Sequence, residues 1–439
     1  MKVMLINPSI GFKRLYGEWD MSDVKSSSPP LGLLSIAAFI RKYGYEVKII
    51  DAQVDGFSLK VVEAFQPDVV GLTAMTLQVS SAAEIARVIK QVYPRMSIVL
   101  GGVHATAEPQ ATLLRYPQFN CVFVGEGERD FLHYLGRDGE FNCLDDLPYP
   151  AYDLVDLSKY RLSVMGTKHF KSIGLVTSRG CFAKCTFCCR KVFGDRLRVN
   201  SAQYVVDELK YLNTVYGVSD FLFYDDLFVG HHRRLREFCQ MILDQQLPFT
   251  WSCCSRCDTM SPELLQLMKR AGCWMIEYGI ESGSQKVLDL MRKGIKKEQV
   301  VRVIADTHNA GIVSKGNFIL GNFGETRETL QETIDFVCEL KLNYFQHTFL
   351  APLPGTEAWE RASEFGEFTP SWDRVNTFAV GFIPSGLTAE DLHNYSKRMW
   401  RRFYLRPHIL WQELRKLHTL EDIYRLWLAF KAFIKTVVQ

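Results

Sequence analysis

Three cysteines in the stretch Thr177-Ser-Arg-Gly-Cys181-Phe-Ala-Lys-Cys185-Thr-Phe-Cys188 stand at C-x3-C-x2-C, directly after the apolar run 173–176. Three thiolates on so short a loop can each hold one iron of a [4Fe-4S] cube, which normally takes four cysteines. The remaining iron must then take a ligand from elsewhere and is open for chemistry. The setting suits this reading: a strand leads into the loop, Gly180 lets the backbone turn tightly, and Phe187 sits just before the last cysteine. A structural zinc site is the rival, but it wants four ligands, and no second C-x2-C or Cys/His pair follows at finger spacing.

At these residues the chain resembles the radical S-adenosylmethionine (SAM) enzymes. The resemblance implies that Cys181, Cys185 and Cys188 bind the cluster and that the amino and carboxylate groups of SAM chelate the open iron. It implies that an electron from the cluster splits the sulfonium to release a 5′-deoxyadenosyl radical, with Phe187 beside the adenine. An external electron donor is implied with it: a flavodoxin, a ferredoxin or a dedicated reductase.

A cluster loop has to be carried by strands. Apolar runs at 173–176, 221–224, 250–253, 274–278, 317–320 and 344–350 read as strands with helices between them, which predicts a six-unit partial (β/α) barrel over residues 171–365. Eight strands would close such a barrel. Six leave a lateral opening through which a large substrate or a neighbouring domain reaches the centre. Reactive groups of these barrels collect at strand C-terminal ends, where the cluster loop falls. The other ends carry Asp225-Asp226, Trp251-Ser-Cys-Cys-Ser-Arg256 and Gly279-Ile-Glu281-Ser282-Gly-Ser. The resemblance implies that Asp225, Arg256, Glu281 and Ser282 hold the polar parts of SAM; taken singly, each reads equally well as a cap of the following helix. Gly321-Asn-Phe323-Gly-Glu325-Thr326 is similar to the family's G-x-P-G-E-T, with phenylalanine for proline, and Ala351-Pro-Leu-Pro-Gly-Thr356 matches unchanged. Cys253, Cys254 and Cys257 read as core or pocket thiols and Cys189 as a bystander.

Residues 1–140 alternate apolar runs at 3–6, 47–50, 69–72, 98–100 and 122–124 with segments of helical length. Short buried strands with intervening amphipathic helices predict an α/β, doubly wound parallel sheet. Ligands of such sheets bind at the carboxyl ends of the strands: here Asn7-Pro-Ser-Ile-Gly, Thr73-Ala-Met-Thr, Gly101-Gly-Val-His104-Ala-Thr and Gly125-Glu-Gly-Glu128. A nicotinamide domain is the obvious alternative, but the G-x-G-x-x-G fingerprint is missing after the first strand. Through Pro29-Pro-Leu-Gly-Leu-Leu-Ser-Ile-Ala-Ala-Phe-Ile-Arg-Lys-Tyr-Gly-Tyr-Glu-Val and the two glycine motifs, the chain instead resembles the cobalamin-binding domain fused to many radical SAM enzymes. No D-x-H-x-x-G is present; Asp51-Ala-Gln53-Val-Asp-Gly56 has glutamine for histidine and follows the second strand. Bound cobalamin would therefore receive no histidine from that motif. His104 reads as a loop histidine bonding backbone or a ligand phosphate.

The resemblance implies one of two reactions. With cobalamin, methylcobalamin supplies a methyl group to an unactivated carbon from which the radical has removed hydrogen. Without it, the radical starts a dehydration, oxidation or cyclisation on a fold that has outlived its ligand. A non-catalytic iron-sulfur protein is the third reading, and the set of strand-end motifs argues against it.

At 439 residues and 47% hydrophobic, the chain has room for two or three domains. A proline-containing linker at 141–170 joins the two sheets, and 366–439 reads as a helical C-terminal region. No run of eighteen uncharged apolar residues occurs, and the first residues read as a strand rather than a signal peptide, so the expected compartment is the cytoplasm. Twelve cysteines around a cluster loop read as reduced thiols and metal ligands. A net charge of +3 gives no sign of a nucleic-acid partner, and the expected partner is a small-molecule substrate. From residue 397 onward there are ten Lys/Arg and three Asp/Glu, a local charge of +7. Ile423, Leu426, Trp427, Phe430, Phe433, Ile434 and Val437 recur there at helical spacing. Such a helix packs on its own barrel in the first reading; in the second it makes a peripheral membrane contact with anionic lipid or a lipidic substrate. His231-His232 shows no metal-ligand spacing.

Overall fold

Short apolar strands that alternate with amphipathic helices can cover both faces only as parallel sheets. The computed structural model, which describes residues 1–10, 27–162, 167–169, 171–415, 417 and 419–438, contains two such sheets. The first comprises β1 (Lys2–Asn7), β2 (Glu46–Asp51), β3 (Val69–Thr73), β4 (Ser97–Gly101) and β5 (Cys121–Val122), all parallel in the order β2-β1-β3-β4-β5. Alternate residues of β1 feed different cores, as the period of a strand requires. Val3 and Leu5 pack with Leu33 and Phe131, whereas Met4 and Ile6 pack with Val79, Ala82 and Ile85. The strand order reverses between β1 and β3, which is where a doubly wound sheet opens a ligand crevice.

The second sheet is formed by β6 (Ser172–Leu175), β9 (Asp220–Phe223), β10 (Thr250–Arg256), β11 (Cys273–Glu281), β12 (Val313–Leu320) and β13 (Tyr344–Phe349). Its strands are parallel and run in sequence order from β6 to β13. Strands β6 and β13 are its edges, so the barrel stays open on one side. Phe221, Phe223, Trp251 and Cys253 pack beneath the surrounding helices in a core that runs on to Leu33 and Phe131, on helices Leu31–Arg41 and Gly127–Tyr134 that cover the first sheet. The opposite face is polar: Lys315 pairs with Glu277 at 3.0 Å, and Asn317 reaches the same carboxylate at 3.4 Å.

Two features depart from the sequence reading. Strand β12 begins at Val313, ahead of the apolar run at 317, because lumen-facing Lys315 interrupts the hydrophobic signal. Two small antiparallel pairs were not expected. One joins β7 (Ser178–Arg179) to β8 (Arg198–Val199) across the cluster loop; the other joins β14 (Gly366–Phe368) to β15 (Phe382–Pro384) ahead of the C-terminal helices. Strands of two or three residues carry no readable period. The helices that follow are Ala389–Tyr404, Pro407–Leu414 and Leu420–Val438. Among the described residues, no helix is long and apolar enough to cross a membrane.

Candidate active site

The cluster loop leaves β6 and is fixed at its root by Asp225. That buried carboxylate accepts hydrogen bonds through Oδ1 from the Thr177 amide (3.0 Å), the Thr177 hydroxyl (2.9 Å) and the Ser178 hydroxyl (2.5 Å). Its other oxygen, Oδ2, has no partner among the described residues. Gly180 then turns at φ +91°, where a Cβ would stand 2.4 Å from the Arg196 carbonyl, so glycine is required. Further along, the Thr186 amide donates to the Met291 carbonyl (3.0 Å) and its carbonyl accepts from the Ala358 amide (2.9 Å). The loop is thus sewn to the segment after β11 and to the helix Glu357–Phe365 that follows the sixth barrel strand.

Cationic groups gather beside the thiols. Arg256 Nη1 lies 4.0 Å from Cys185 Sγ, and the same guanidinium grips Asp258 through Nε (2.9 Å) and Nη2 (2.8 Å) and donates to the Lys293 carbonyl (2.8 Å). Lys293 Nζ pairs with Glu281 at 2.7 Å and stands 5.9 Å from the centre of the Phe187 ring. Burial depresses Lys293, but the carboxylate of Glu281 and the thiol of Cys185 outweigh it and leave the ammonium above the ordinary lysine value. The Cys185 thiol is drawn below its ordinary value, first by its hydrogen bond with Cys188 and then, against burial, by Lys293 and Arg256. Cys188 is pushed up by the same bond and by burial. Among the described residues, no three His, Cys, Asp or Glu side chains converge as a single metal ion requires; the thiolates of a cube each meet a different iron. Three thiols on one loop beside two cations are a donor set that fits an anionic thiolate-bound cluster.

The residues singled out from sequence fall into two groups. Cys185, Phe187, Arg256 and Glu281 surround Lys293, which no motif in the sequence had marked. Glu281 sits at the end of β11 at φ +69°, a left-handed conformation uncommon for non-glycine residues. Asp225 and Ser282 lie behind this group. Ser282 is fully buried, shares a hydrogen bond with Thr333 Oγ1 (3.2 Å) and accepts one from the Ser284 amide (3.1 Å). Cys253 and Cys257 are buried and Cys254 is half-buried; burial pushes the Cys257 thiol up to about 12. His231 caps the helix His232–Asp244 by accepting from the Arg234 amide at 3.1 Å.

The loop after β12, which lacks the proline, is held by other means. Glu325 accepts from the Gly321 (2.5 Å) and Asn322 (2.9 Å) amides, and Phe323 stacks on Phe365 with ring centres 4.4 Å apart. Burial pushes Glu325 up to about 8 from an ordinary 4.5, against those two amide bonds. Between these values the unfolded chain gives up a proton that the folded chain keeps, so this residue's contribution to stability falls as pH rises from about 4.5 to about 8 and is level beyond. Glu325→Gln has no such proton to lose. The gap between variant and wild-type urea midpoints should therefore grow in the variant's favour across that window; a gap that does not change with pH would reject this origin.

At the switch point of the first sheet lies a cavity of about 250 Å³. Leu5, Val99 and Phe131 form an apolar floor, Leu33 and Ile36 a wall, and glycines the mouth, which faces Arg179, Val192 and Phe193 of the cluster segment. Gly101 has nothing within 4 Å of where a Cβ would stand, and Gly102, at φ +93°, packs so closely that a Cβ would lie 2.6 Å from Thr73 Oγ1. An apolar slot entered past bare backbone fits the flat base and phosphate of a cobalamin nucleotide tail. His104 does not line it: the residue is fully buried beneath Trp372 (ring centres 4.4 Å apart), with Nδ1 3.3 Å from Thr76 Oγ1. Burial pulls it down to about 4.

The Gly125-Glu-Gly-Glu128 motif spends its carboxylates on the cluster loop. Arg179 donates to Glu126 and, at 2.6 Å, to Glu128, which also accepts from Ser35 at 2.9 Å; Arg198 joins Glu126. Glu128 is held below the usual carboxylate range because the charge of Arg179 outweighs burial. The residue before Gly180 and Cys181 is thereby tied to the rim of the N-terminal cavity.

A doubly wound domain docked on an open six-stranded barrel, with three thiols on the loop after the first barrel strand, is the architecture of a radical SAM enzyme with a corrinoid-type domain. The comparisons agree. Residues 20–135 match the B12 binding domain and residues 175–337 the Radical SAM superfamily. The chain is 30% identical to an uncharacterized methyltransferase of Pyrococcus horikoshii, over 95% of each chain. It is 29% identical to the cytidylyl-2-hydroxyethylphosphonate methyltransferase of Streptomyces wedmorensis (92% of this chain, 90% of that one). It is 26% identical to the anaerobic magnesium-protoporphyrin IX monomethyl ester cyclase of Rubrivivax gelatinosus (92% and 78%). In fold it resembles the cobalamin-dependent S-adenosylmethionine radical enzyme OxsB, solved with aqua-cobalamin and SAM bound, at TM-score 0.74 and 18% identity over 99% of this chain and 71% of that one. The chain belongs to the radical SAM enzymes that carry an N-terminal B12 binding domain.

Proposed function

We propose that the enzyme methylates an unactivated carbon of a small-molecule substrate in a biosynthetic pathway, using SAM, a [4Fe-4S] cluster on Cys181, Cys185 and Cys188, and cobalamin. The observation that carries this reading is the N-terminal slot, still open past Gly101 and facing the cluster segment. When bound, the cluster supplies the electron that cleaves SAM, and the corrinoid supplies the methyl group. Residues 1–140 serve as the corrinoid unit and 171–365 as the SAM unit, with the clamp on Arg179 holding the two in register. A reducing cytoplasm suits unpaired cluster thiols.

Within the barrel, Arg256 and Lys293 offset the charge of the thiolates and face the carboxylate of SAM. Glu281 receives its amino or ribose donors, Phe187 covers the adenine, and Asp225 and Ser282 support the pocket from behind. Each such charge-assisted bond is worth about 1.5–3 kcal/mol, or roughly ten- to a hundredfold in affinity. Arg256→Ala and Glu281→Ala should weaken SAM binding by that factor in calorimetry while iron content holds. Unchanged affinity in both would reject this pocket.

The relation to a cyclase favours a second reading, radical chemistry without methyl transfer. The spectrum of anaerobically purified enzyme separates the two. Corrinoid bands beside iron-sulfur absorption support methyl transfer; iron-sulfur absorption alone after cobalamin supplementation promotes the other.

A further inference from the structure

The inner side of the last helix, Leu420–Val438, meets Ala389–Tyr404: the Phe433 ring lies 6.5 Å from Trp400 and 6.2 Å from Tyr404, and Leu428 is buried. Four other large apolar side chains turn away. Ile423, Trp427, Phe430 and Ile434 are 54%, 46%, 59% and 40% exposed. Their spacing of i, i+4, i+7 and i+11 puts them on one line along a helix of 3.6 residues per turn, so they form a continuous outward stripe. Leu410 and Trp411 of the preceding helix are also exposed. A contiguous exposed apolar surface of this kind marks a contact with something else.

The net charge of the segment that carries the stripe says what that is. From residue 397 onward the chain carries +7, so with a total of +3 the remainder carries −4. Lys431 Nζ lies 3.7 Å from the Trp427 ring centre, placing a cation on the flank of the stripe. We propose that this face seats the enzyme on an anionic lipid bilayer, with the stripe among the acyl chains and Lys431 on its flank at the lipid phosphates. The contact is peripheral, since no described helix crosses a membrane. A second copy of the chain is the poorer occupant: a two-fold contact would set one +7 segment against another, and like charges across an interface repel. The inference is independent of which reaction the barrel performs.

The test uses full-length protein and sedimentation with vesicles of phosphatidylcholine, with or without phosphatidylglycerol. Wild type should sediment with the anionic vesicles, far less with the neutral ones, and be released by salt. Trp427→Ser combined with Phe430→Ser should reduce partitioning by more than about tenfold, with circular dichroism and iron content unchanged because both side chains are exposed. Ile423→Ser with Ile434→Ser should do the same and guards against misfolding of the first pair. Wild type that ignores anionic vesicles, or variants that bind as wild type does, would overturn the proposal. So would light scattering that shows a wild-type dimer, broken by the same substitutions, in place of vesicle binding.

Discussion

Replacing any one of Cys181, Cys185 or Cys188 by alanine should remove the cluster's iron and end SAM cleavage. With three thiolates for four irons there is no spare ligand, and the other cysteines of the barrel are engaged elsewhere. Cys189 turns towards Gly355, whose Cβ position lies 3.2 Å from its Sγ. Cys253 is buried among Phe223, Trp251 and other side chains of the helix-facing core, and Cys257 is buried in that same core. Alanine at Cys189, Cys253 or Cys257 should leave iron near the wild-type content. A folded Cys257→Ala protein short of iron, or a Cys188→Ala protein that keeps its cluster and still forms deoxyadenosine, would refute the three-ligand assignment.

What made these cysteines legible is that their relation is local: eight residues of chain hold all three, and a strand and a glycine before the first cysteine can be read from the same stretch. The six barrel strands were legible for the same reason, since each buries an apolar run of its own. Lys293 was not. It reaches Glu281 and Cys185 only because the segment after the helix Gln285–Leu290 folds back over the barrel mouth, and nothing in Met291-Arg-Lys-Gly294 announces that return. The clamp on Arg179 was hidden likewise, because Glu126 and Glu128 sit in a motif whose glycines drew attention to a ligand. Periodicity also showed that the last helix is amphipathic without showing which side is covered. In the structure Phe433 faces inward while Ile423, Trp427, Phe430 and Ile434, in register by sequence, face out. Phe323 is the converse case: the proline it replaces would have preset the turn, and Glu325, already present in the motif, holds the turn with two backbone bonds.

Gly101→Leu should abolish corrinoid retention while sparing the cluster. Gly101 ends β4 at the mouth of the N-terminal slot, has a backbone that any residue can adopt, and has no atom within 4 Å of the Cβ position, so leucine enters without strain. Its isobutyl group would then occupy a cavity of only about 250 Å³ that the nucleotide tail needs. Wild-type protein given hydroxocobalamin anaerobically should retain it at micromolar concentration with the benzimidazole released. Its Co(II) resonance should show no imidazole nitrogen, because His104 is shut beneath Trp372, away from the slot. The leucine variant should return no corrinoid bands yet keep iron and SAM binding, and a methyl group labelled in SAM should no longer reach substrate. Corrinoid retained by Gly101→Leu would show that the tail lies elsewhere, and nitrogen coupling in the wild type would mean that Trp372 moves aside to admit His104. Failure of the wild type to retain cobalamin at all would remove methyl transfer and leave the cobalamin-free radical reaction as the chemistry of this barrel.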